Sequence, residues 1–545
     1  MAGRTENTAP SSSTTATTRS VSARRPTALR PRRSSSSRRR ASSRPSTSSS
    51  RKSSVRASAV VAVALLLAGC ATPRVNNKLA TFDGTSGYRY DTLSKDGTGD
   101  DLFVILAFSG GGTRAAAFSY GVMEALRDAR HTTNRPLLDD VDVISSVSGG
   151  SFTAAYDALF RDAMFTDQGR EVYLHEKIHP QDQLVRRALW PASWFKLLSR
   201  DYDRINLAAD LYDETIFEGK TFAALMGKKP YLILNATDMS LGQRFEFTQD
   251  QFDLLCSDLS SVKVASGVAA SSAFPGLLSP LTLESFAAEG CSYREPLWLT
   301  NAKSPDNPAR RWKRGLDAAS YQDEKADRRF IHLLDGGLAD NIGLRGPYVA
   351  LTSNDSGWGV IQKINQGVIS RVVVVTANAK TKHKTAWDQR RDAPGLLSVL
   401  GFVTSGPMDN YSFDSVQLVT DYFDRLRESF QDFTACKTLL EARCPGATLP
   451  GLARPADFHA IEISFEGFRG ADDRVRRCLE ELPTTFKLSR DQVELLRRAA
   501  YVLVTTSASF NAAMKAIDAR WTPRDAAIDP ALVARACAAT TSGTR

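Results

Sequence analysis

No stretch of this chain approaches the roughly 20 consecutive apolar residues that a bilayer-spanning helix needs, which excludes a protein of many spans. Histidine is scarce, with six in 545 residues, and the seven cysteines include no pair at C-x-x-C spacing. A zinc ribbon or a thioredoxin-like redox site therefore has nothing to build on. Acidic residues are missing from one region in particular: residues 1–69 hold 14 Lys and Arg against a single acid, Glu6. The rest of the chain sets 56 bases against 59 acids, so the formal charge of +10 belongs to the leader and the body carries −3. The case for a nucleic-acid partner, which a basic chain would otherwise make, rests on the leader alone. Hydrophobic residues at 42% and charged residues at 24% are globular values and exclude disorder of the whole chain.

Residues 1–56 are Ser, Thr, Arg and Pro with almost nothing to bury, so ordering them gains nothing. An apolar run then extends from Ala57 to Ala68 and ends in Leu67-Ala68-Gly69-Cys70. A basic segment, about a dozen apolar residues and small residues at the end describe a secretory signal. Arg38-Arg39-Arg40 lacks the apolar residues that a twin-arginine signal would place after it. Cysteine directly after Leu-Ala-Gly resembles the bacterial lipobox. That resemblance implies acylation of Cys70, a mature chain that starts there, and lipid anchoring in the cell envelope, with Ala71 favouring the outer membrane. Six cysteines remain, and nearest-neighbour pairing of Cys256 with Cys291, Cys436 with Cys444 and Cys478 with Cys537 is the expectation.

Residues 70–100 read as a lipidated cysteine and a polar tether. From Asp101 the texture changes. LFVILAFS, VDVISSVS, PYLILNATD, RFIHLLDGG and RVVVVTANAK read as strands, with helical periodicity between them, as over Thr113–Ala129. This alternation predicts an α/β domain with a largely parallel sheet over 101–385, followed by a mainly helical part over 386–545. The polar, charged stretch 300–328 reads as an excursion loop.

Three glycine-punctuated turns each follow a strand. In Ser109-Gly110-Gly111-Gly112-Thr113-Arg114, consecutive glycines permit close backbone approach and a helix start offers free N–H groups. The Lys-Ser/Thr ending of a Walker loop and the G-x-G-x-x-G spacing of a dinucleotide fold are both missing, which leaves an oxyanion hole or a merely tight turn. In Ser146-Val147-Ser148-Gly149-Gly150, Ser148 has small residues two before and two after it, as a nucleophile elbow requires, although Ser146 stands where glycine is usual. Local abundance of serine is the plainer explanation. Asp335-Gly336-Gly337 places a carboxylate at a strand end, with Asp340 a rival for the same role and an ordinary DG turn the alternative.

Taken in this order, the three turns resemble the patatin-like phospholipase family, and GGGTR with VSGGS is also similar to the cytosolic phospholipase A2 group. NATDMSLGQRFEFT, VASGVAASSAFPGLLSPLTL, HLLDGGLADNIGL and the late PTTFKLSRDQVELL extend the resemblance over roughly residues 100–515. It implies a three-layer α/β/α fold with a mostly parallel sheet and a helical C-terminal extension. It also implies a Ser–Asp dyad of Ser148 as nucleophile and Asp335 as proton acceptor, with Gly110, Gly111 and Gly112, and Gly149 beside them, as the oxyanion hole. The activity implied is hydrolysis of carboxylic esters in phospholipids, lysophospholipids or other acyl esters, without cofactor or metal. DGTGDD at 96–101 lacks EF-hand spacing.

None of the histidines at 131, 175, 179, 332, 383 and 459 occupies the late strand-end loop where an α/β-hydrolase carries its catalytic His. His332, three residues before Asp335, reads as a strand histidine. Arg114 is a candidate phosphate contact or a brace for its own loop. In LVRRALWPASWFKLLSRDYDR, Trp190, Trp194 and Phe195 interleave with Arg186, Arg187, Lys196 and Arg200. That pattern suits a lid at a membrane surface, but a helix with core aromatics and a basic outer face is the favoured reading. A non-catalytic lipid-binding lipoprotein of the outer membrane is the competing function.

Overall fold

The computed structural model describes residues 75–541 except 94–100, 132–133, 200–201, 324, 326, 354–358, 381–390, 392–395, 445, 447–454 and 471–472. The expected leader, the acylated Cys70, Arg200 and His383 lie outside the described residues. No helix among the described residues is long and apolar enough to cross a membrane.

The elements that build the core follow one another as β1 (Leu102–Phe108), α1 (Gly112–Asp128), β2 (Val141–Val147), α2 (Gly149–Phe160), α3 (Gln181–Leu189), α4 (Pro191–Leu197), α5 (Arg204–Tyr212), β3 (Tyr231–Asp238), β4 (Gln243–Glu246), α6 (Val264–Ser271), β5 (Leu281–Glu284), β6 (Phe330–Asp335), α7 (Arg345–Thr352), β7 (Arg371–Asn378), α8 (Leu396–Arg443), β8 (Asp457–Ser464) and α9 (Arg490–Thr506). Eight strands form one sheet in the order β8-β7-β1-β2-β3-β6-β5, with β4 paired to β3. The pairs from β8 to β3 are parallel, while β4, β5 and β6 run antiparallel to their neighbours. This is the mostly parallel sheet of an α/β/α fold.

β2 and β3 are buried along their whole length, and β1 and β7 all but their first residue. Parallel strands are covered on both faces, so they read in sequence as apolar runs without alternation. Asp142 is the buried charged residue on β2. Its carboxylate accepts the Val104 N–H at 2.9 Å, where the β1–β2 register slips, and pairs with Lys229 at 3.0 Å. Alanine-rich α1 is buried nearly all round because α9 covers its outer side. A Cβ on Gly121 would lie 2.1 Å from the Arg497 carbonyl of α9, and Arg497 pairs with Glu124 of α1 at 2.6 Å. The last third of the chain is thus more than a helical addition: it supplies edge strand β8 as well as the helix that seals α1.

Three expectations change. Residues 75–93 are not a loose tether, since Tyr88 and Tyr90 are buried against Tyr231 and Arg89 pairs with Asp250 and Asp253. Aromatic and ion-paired burial outweighs the polar composition there. The stretch 300–328 contains a helix, Ala309–Ala319, rather than loop alone. Disulfides join Cys256 to Cys291 and Cys478 to Cys537, but Cys436 and Cys444 are free and exposed. Helix α8 runs unbroken to Arg443, and eight residues of helix separate these two cysteines by about 12 Å at 1.5 Å per residue, whereas a disulfide needs Cα atoms within about 7 Å.

Candidate active site

Ser148 sits between β2 and α2 with φ 50° and ψ −119°, a backbone state that costs a non-glycine residue roughly 1–3 kcal/mol. The neighbours hold it there. The Ser148 N–H donates to Ser271 Oγ at 2.9 Å, and Ser271 Oγ donates in turn to the Asn235 carbonyl at 2.7 Å. Ser151 Oγ lies 2.9 Å from Ser271 Oγ and 3.1 Å from Ser146 Oγ. Ser146 is fully buried, so its hydroxyl joins this network and fits where glycine was expected.

Ser148 Oγ donates to Asp335 Oδ2 at 2.8 Å. Asp335 ends β6, and the Gly337 N–H donates to its Oδ1 at 2.8 Å. Its backbone is fixed as well, the N–H by the Ala273 carbonyl and the carbonyl by the Thr237 hydroxyl. Burial pushes the Asp335 carboxyl up to about 6, against the opposing pull of the Gly337 N–H and the Ser148 hydroxyl. Such a carboxylate is poised near neutrality to take a proton and give it back. Asp340 is no rival, because its carboxylate oxygens accept the N–H groups of Gly343 and Arg345.

The glycine loop lies directly against this pair. A Cβ on Gly149 would fall 2.1 Å from the Gly112 carbonyl oxygen, so the elbow and the loop touch only because that side chain is absent. Gly112 has φ +59° and packs so that a Cβ would meet the Thr485 carbonyl at 2.4 Å. Gly110 and Thr113 spend their N–H groups on the carbonyls of Asn341 and Thr485. The N–H groups of Gly111 and Gly112 have no acceptor among the described residues, and those of Gly149 and Gly150 open helix α2, where no intrahelical acceptor exists. The expected oxyanion set is therefore corrected at Gly110. Its N–H is taken, and its bare Cα instead lets Asn341 and Ser148 close in, with a Cβ placed 2.7 Å from Asn341 Oδ1 and 3.3 Å from Ser148 Cβ.

Arg114 lies beside the glycine loop, and a Cβ on Gly111 would fall 3.0 Å from its Nη2. It is 3% exposed, and its guanidinium donates to the carbonyls of Ala379 at 3.0 Å and Leu482 at 2.9 Å. Of the two readings of this residue, the brace is the one its bonds match: it ties the start of α1 to the end of β7 and to the strap before α9. His332 faces outward on β6 and lies 3.0 Å from Thr282 Oγ1. Among the described residues no histidine bonds to Ser148 or Asp335, and no group of three His, Cys, Asp or Glu is placed to hold a metal. Trp190 and Trp194 are surface residues rather than the core aromatics favoured from sequence, at 66% and 58% exposed. The side chain of Phe195 is outside the described residues.

Ser271 is the residue that sequence reasoning missed. It belongs to the motif VASGVAASSAFPG, but two serines adjoin there and only geometry separates them. Ser272 bonds back to Val268 in its own helix, whereas Ser271 points to the elbow.

No curated protein sequence matches the chain. Among solved structures, human GIVD cytosolic phospholipase A2 overlaps at 14% identity with a TM-score of 0.36, covering 76% of this chain and 63% of that one. Its complex with methyl gamma-linolenyl fluorophosphonate gives 13% identity, a TM-score of 0.37 and coverage of 78% and 62%. ExoU-SpcU from Pseudomonas aeruginosa gives 16% identity, a TM-score of 0.20 and coverage of 86% and 94%. The chain spans less than two thirds of the phospholipase A2 chains, and overlaps this loose carry nothing further. The family model for patatin-like phospholipase matches residues 106–348. Ser148, Asp335, the glycine loop and Ser271 all fall within that span, and this chain carries a patatin-like phospholipase domain.

Proposed function

We propose that the protein is a serine acyl hydrolase that cleaves carboxylic esters of phospholipids, lysophospholipids or related acyl lipids through a Ser148–Asp335 dyad. The observation that carries this reading is the 2.8 Å hydrogen bond from the Ser148 hydroxyl to a buried carboxylate, beside backbone N–H groups that have no acceptor among the described residues. Asp335 takes the Ser148 proton as Oγ attacks the ester carbonyl. The N–H groups of Gly111 and Gly112, with that of Gly149, receive the negative charge that develops on the carbonyl oxygen. The C–O bond to the alcohol breaks, and the alcohol leaves with the proton from Asp335. Water then gives a proton to the same carboxylate and attacks the acyl-enzyme. The acid departs, and Ser148 regains its proton. Acylation at Cys70 holds the enzyme at the outer membrane of the cell envelope, where such lipids are at hand.

Ester hydrolysis by the purified protein beside its Ser148→Ala form tests this. Loss of activity in Ser148→Ala is expected. Retained activity overturns the site assignment, and inactivity of both with lipid still bound favours the non-catalytic lipid-binding lipoprotein.

A further inference from the structure

Helices α3 and α4 form a hairpin that carries large apolar side chains into solvent. Val185 and Leu189 are 52% and 66% exposed, and Trp190, Trp194 and Leu198 are 66%, 58% and 82% exposed. Within each group the spacing is four residues, which stacks the side chains on one helix face. The hairpin is internally braced, since Trp194 Nε1 donates to the Ala188 carbonyl at 2.9 Å. The outward display is therefore a property of a folded unit. Apolar patches of this kind mark contact sites.

Charge points to the occupant. From Gln183 to Ser199 there are three bases, Arg186, Arg187 and Lys196, and no acid, on a body whose net charge is −3. Arg187 is paired with Glu214, while Arg186 and Lys196 face solvent. Tryptophan and leucine flanked by cations are the composition of a surface that enters the headgroup region of an anionic bilayer.

The root of the hairpin joins the glycine loop. The Thr113 hydroxyl donates to the Ile178 carbonyl at 2.7 Å, just ahead of α3. Thr485, whose carbonyl accepts the Thr113 N–H, donates its hydroxyl to Gln181 Oε1 at 2.6 Å in the first turn of α3. Lys487 pairs with Asp182 one residue later. The root of the hairpin and the glycine loop are thus joined at Thr113, directly and through Thr485.

We infer that the α3–α4 hairpin is a membrane-docking surface, which inserts Leu189, Trp190, Trp194 and Leu198 into an anionic phospholipid surface and so seats the glycine loop at the interface. The docking stands on its own geometry; only its benefit to turnover rests on the proposed acyl hydrolase activity.

The test uses the full chain with Cys70→Ser, so that acyl chains contribute nothing, and equimolar phosphatidylglycerol–phosphatidylcholine vesicles containing brominated phosphatidylcholine. No tryptophan precedes Trp190, so the basic leader gives no signal. Tryptophan fluorescence should be quenched on vesicle addition, and the quenching should disappear with Trp190→Phe/Trp194→Phe while vesicle binding persists. Trp190→Ser/Trp194→Ser should weaken vesicle binding by about tenfold or more, the equivalent of about 1.4 kcal/mol, with an unchanged melting temperature. It should also depress hydrolysis of vesicle esters far more than hydrolysis of a soluble short-chain ester. Equal vesicle affinity of parent and Trp190→Ser/Trp194→Ser chains overturns the proposal. So does quenching that survives the phenylalanine substitutions, or a dimer that the serine substitutions dissolve without changing vesicle affinity. Absence of any ester hydrolysis in the parent would count against the proposed activity and leave the quenching result to decide the docking.

Discussion

Asp335 holds Ser148 with one carboxylate oxygen and the Gly337 N–H with the other, so the proton acceptor is oriented by backbone rather than by a third side chain. Its buried carboxyl titrates near 6 instead of 3.8, and only the ionised form accepts the serine proton. Activity should therefore rise about tenfold per pH unit below 6 and level off above it. The stability effect has the opposite sign. A carboxyl whose folded value is raised stabilises the fold fully below the unfolded value near 3.8, and that contribution is lost as pH climbs through 6. Asp335→Asn should be inactive, and its stability relative to the parent should improve between pH 4 and pH 7, by as much as about 3 kcal/mol. Urea melts at both pH values, read beside a pH–rate profile, check both halves.

The strain at Ser148 gives a second expectation. With φ at 50° and ψ at −119°, alanine is as strained as serine, whereas glycine adopts this conformation freely. Ser148→Ala and Ser148→Gly should both lose hydrolysis, but Ser148→Gly should be the more stable of the two by about 1 kcal/mol in denaturant melts. Equal stability would mean that the turn relaxes and stores no strain.

Much of this site was legible in sequence because its parts are local. A glycine run, a serine with small neighbours and an aspartate before two glycines each announce a turn at a strand end. What stayed hidden is tertiary. Gly110 and Gly112 do not differ by type, and only the fold assigns the Gly110 N–H to Asn341 and leaves that of Gly112 without an acceptor among the described residues. Ser271 stands beside Ser272, and the pitch of α6 decides which one meets the elbow. Trp190, Trp194 and Leu198 have the same four-residue spacing whether they face core or solvent, so spacing alone does not give the direction of their face. The tyrosines at 88 and 90 lie in a polar stretch, and only their partners at Tyr231, Phe103 and Phe222 show them to be core.

Ser271 positions the elbow without contacting the ester, since its hydroxyl receives the Ser148 N–H and donates to the Asn235 carbonyl. Ser271→Ala removes both bonds and the contact with Ser151 Oγ in a fully buried place and should cost about 1–3 kcal/mol of stability. Because Ser271 holds the nucleophile and makes no contact with the ester, kcat should fall by an order of magnitude or so with KM nearly unchanged. Ser271→Thr, which keeps the hydroxyl, should recover part of that loss. A change confined to KM, or no recovery with threonine, would remove Ser271 from the positioning role.

Arg114 separates a structural from a substrate-binding arginine. Its guanidinium is buried on the carbonyls of Ala379 and Leu482, and hydrogen bonds from a charged group are worth about 1.5–3 kcal/mol each. Arg114→Gln keeps one donor group and loses the charge and the fork, so the melting temperature should drop by several degrees. Since the side chain is held by those two carbonyls, the remaining folded enzyme should lose activity in equal proportion on a phospholipid and on a neutral acylglycerol. A selective loss on the phospholipid would instead mean that Arg114 leaves its carbonyls to contact phosphate when substrate binds. Kinetics on matched acyl chains, differing only in headgroup, distinguish the two.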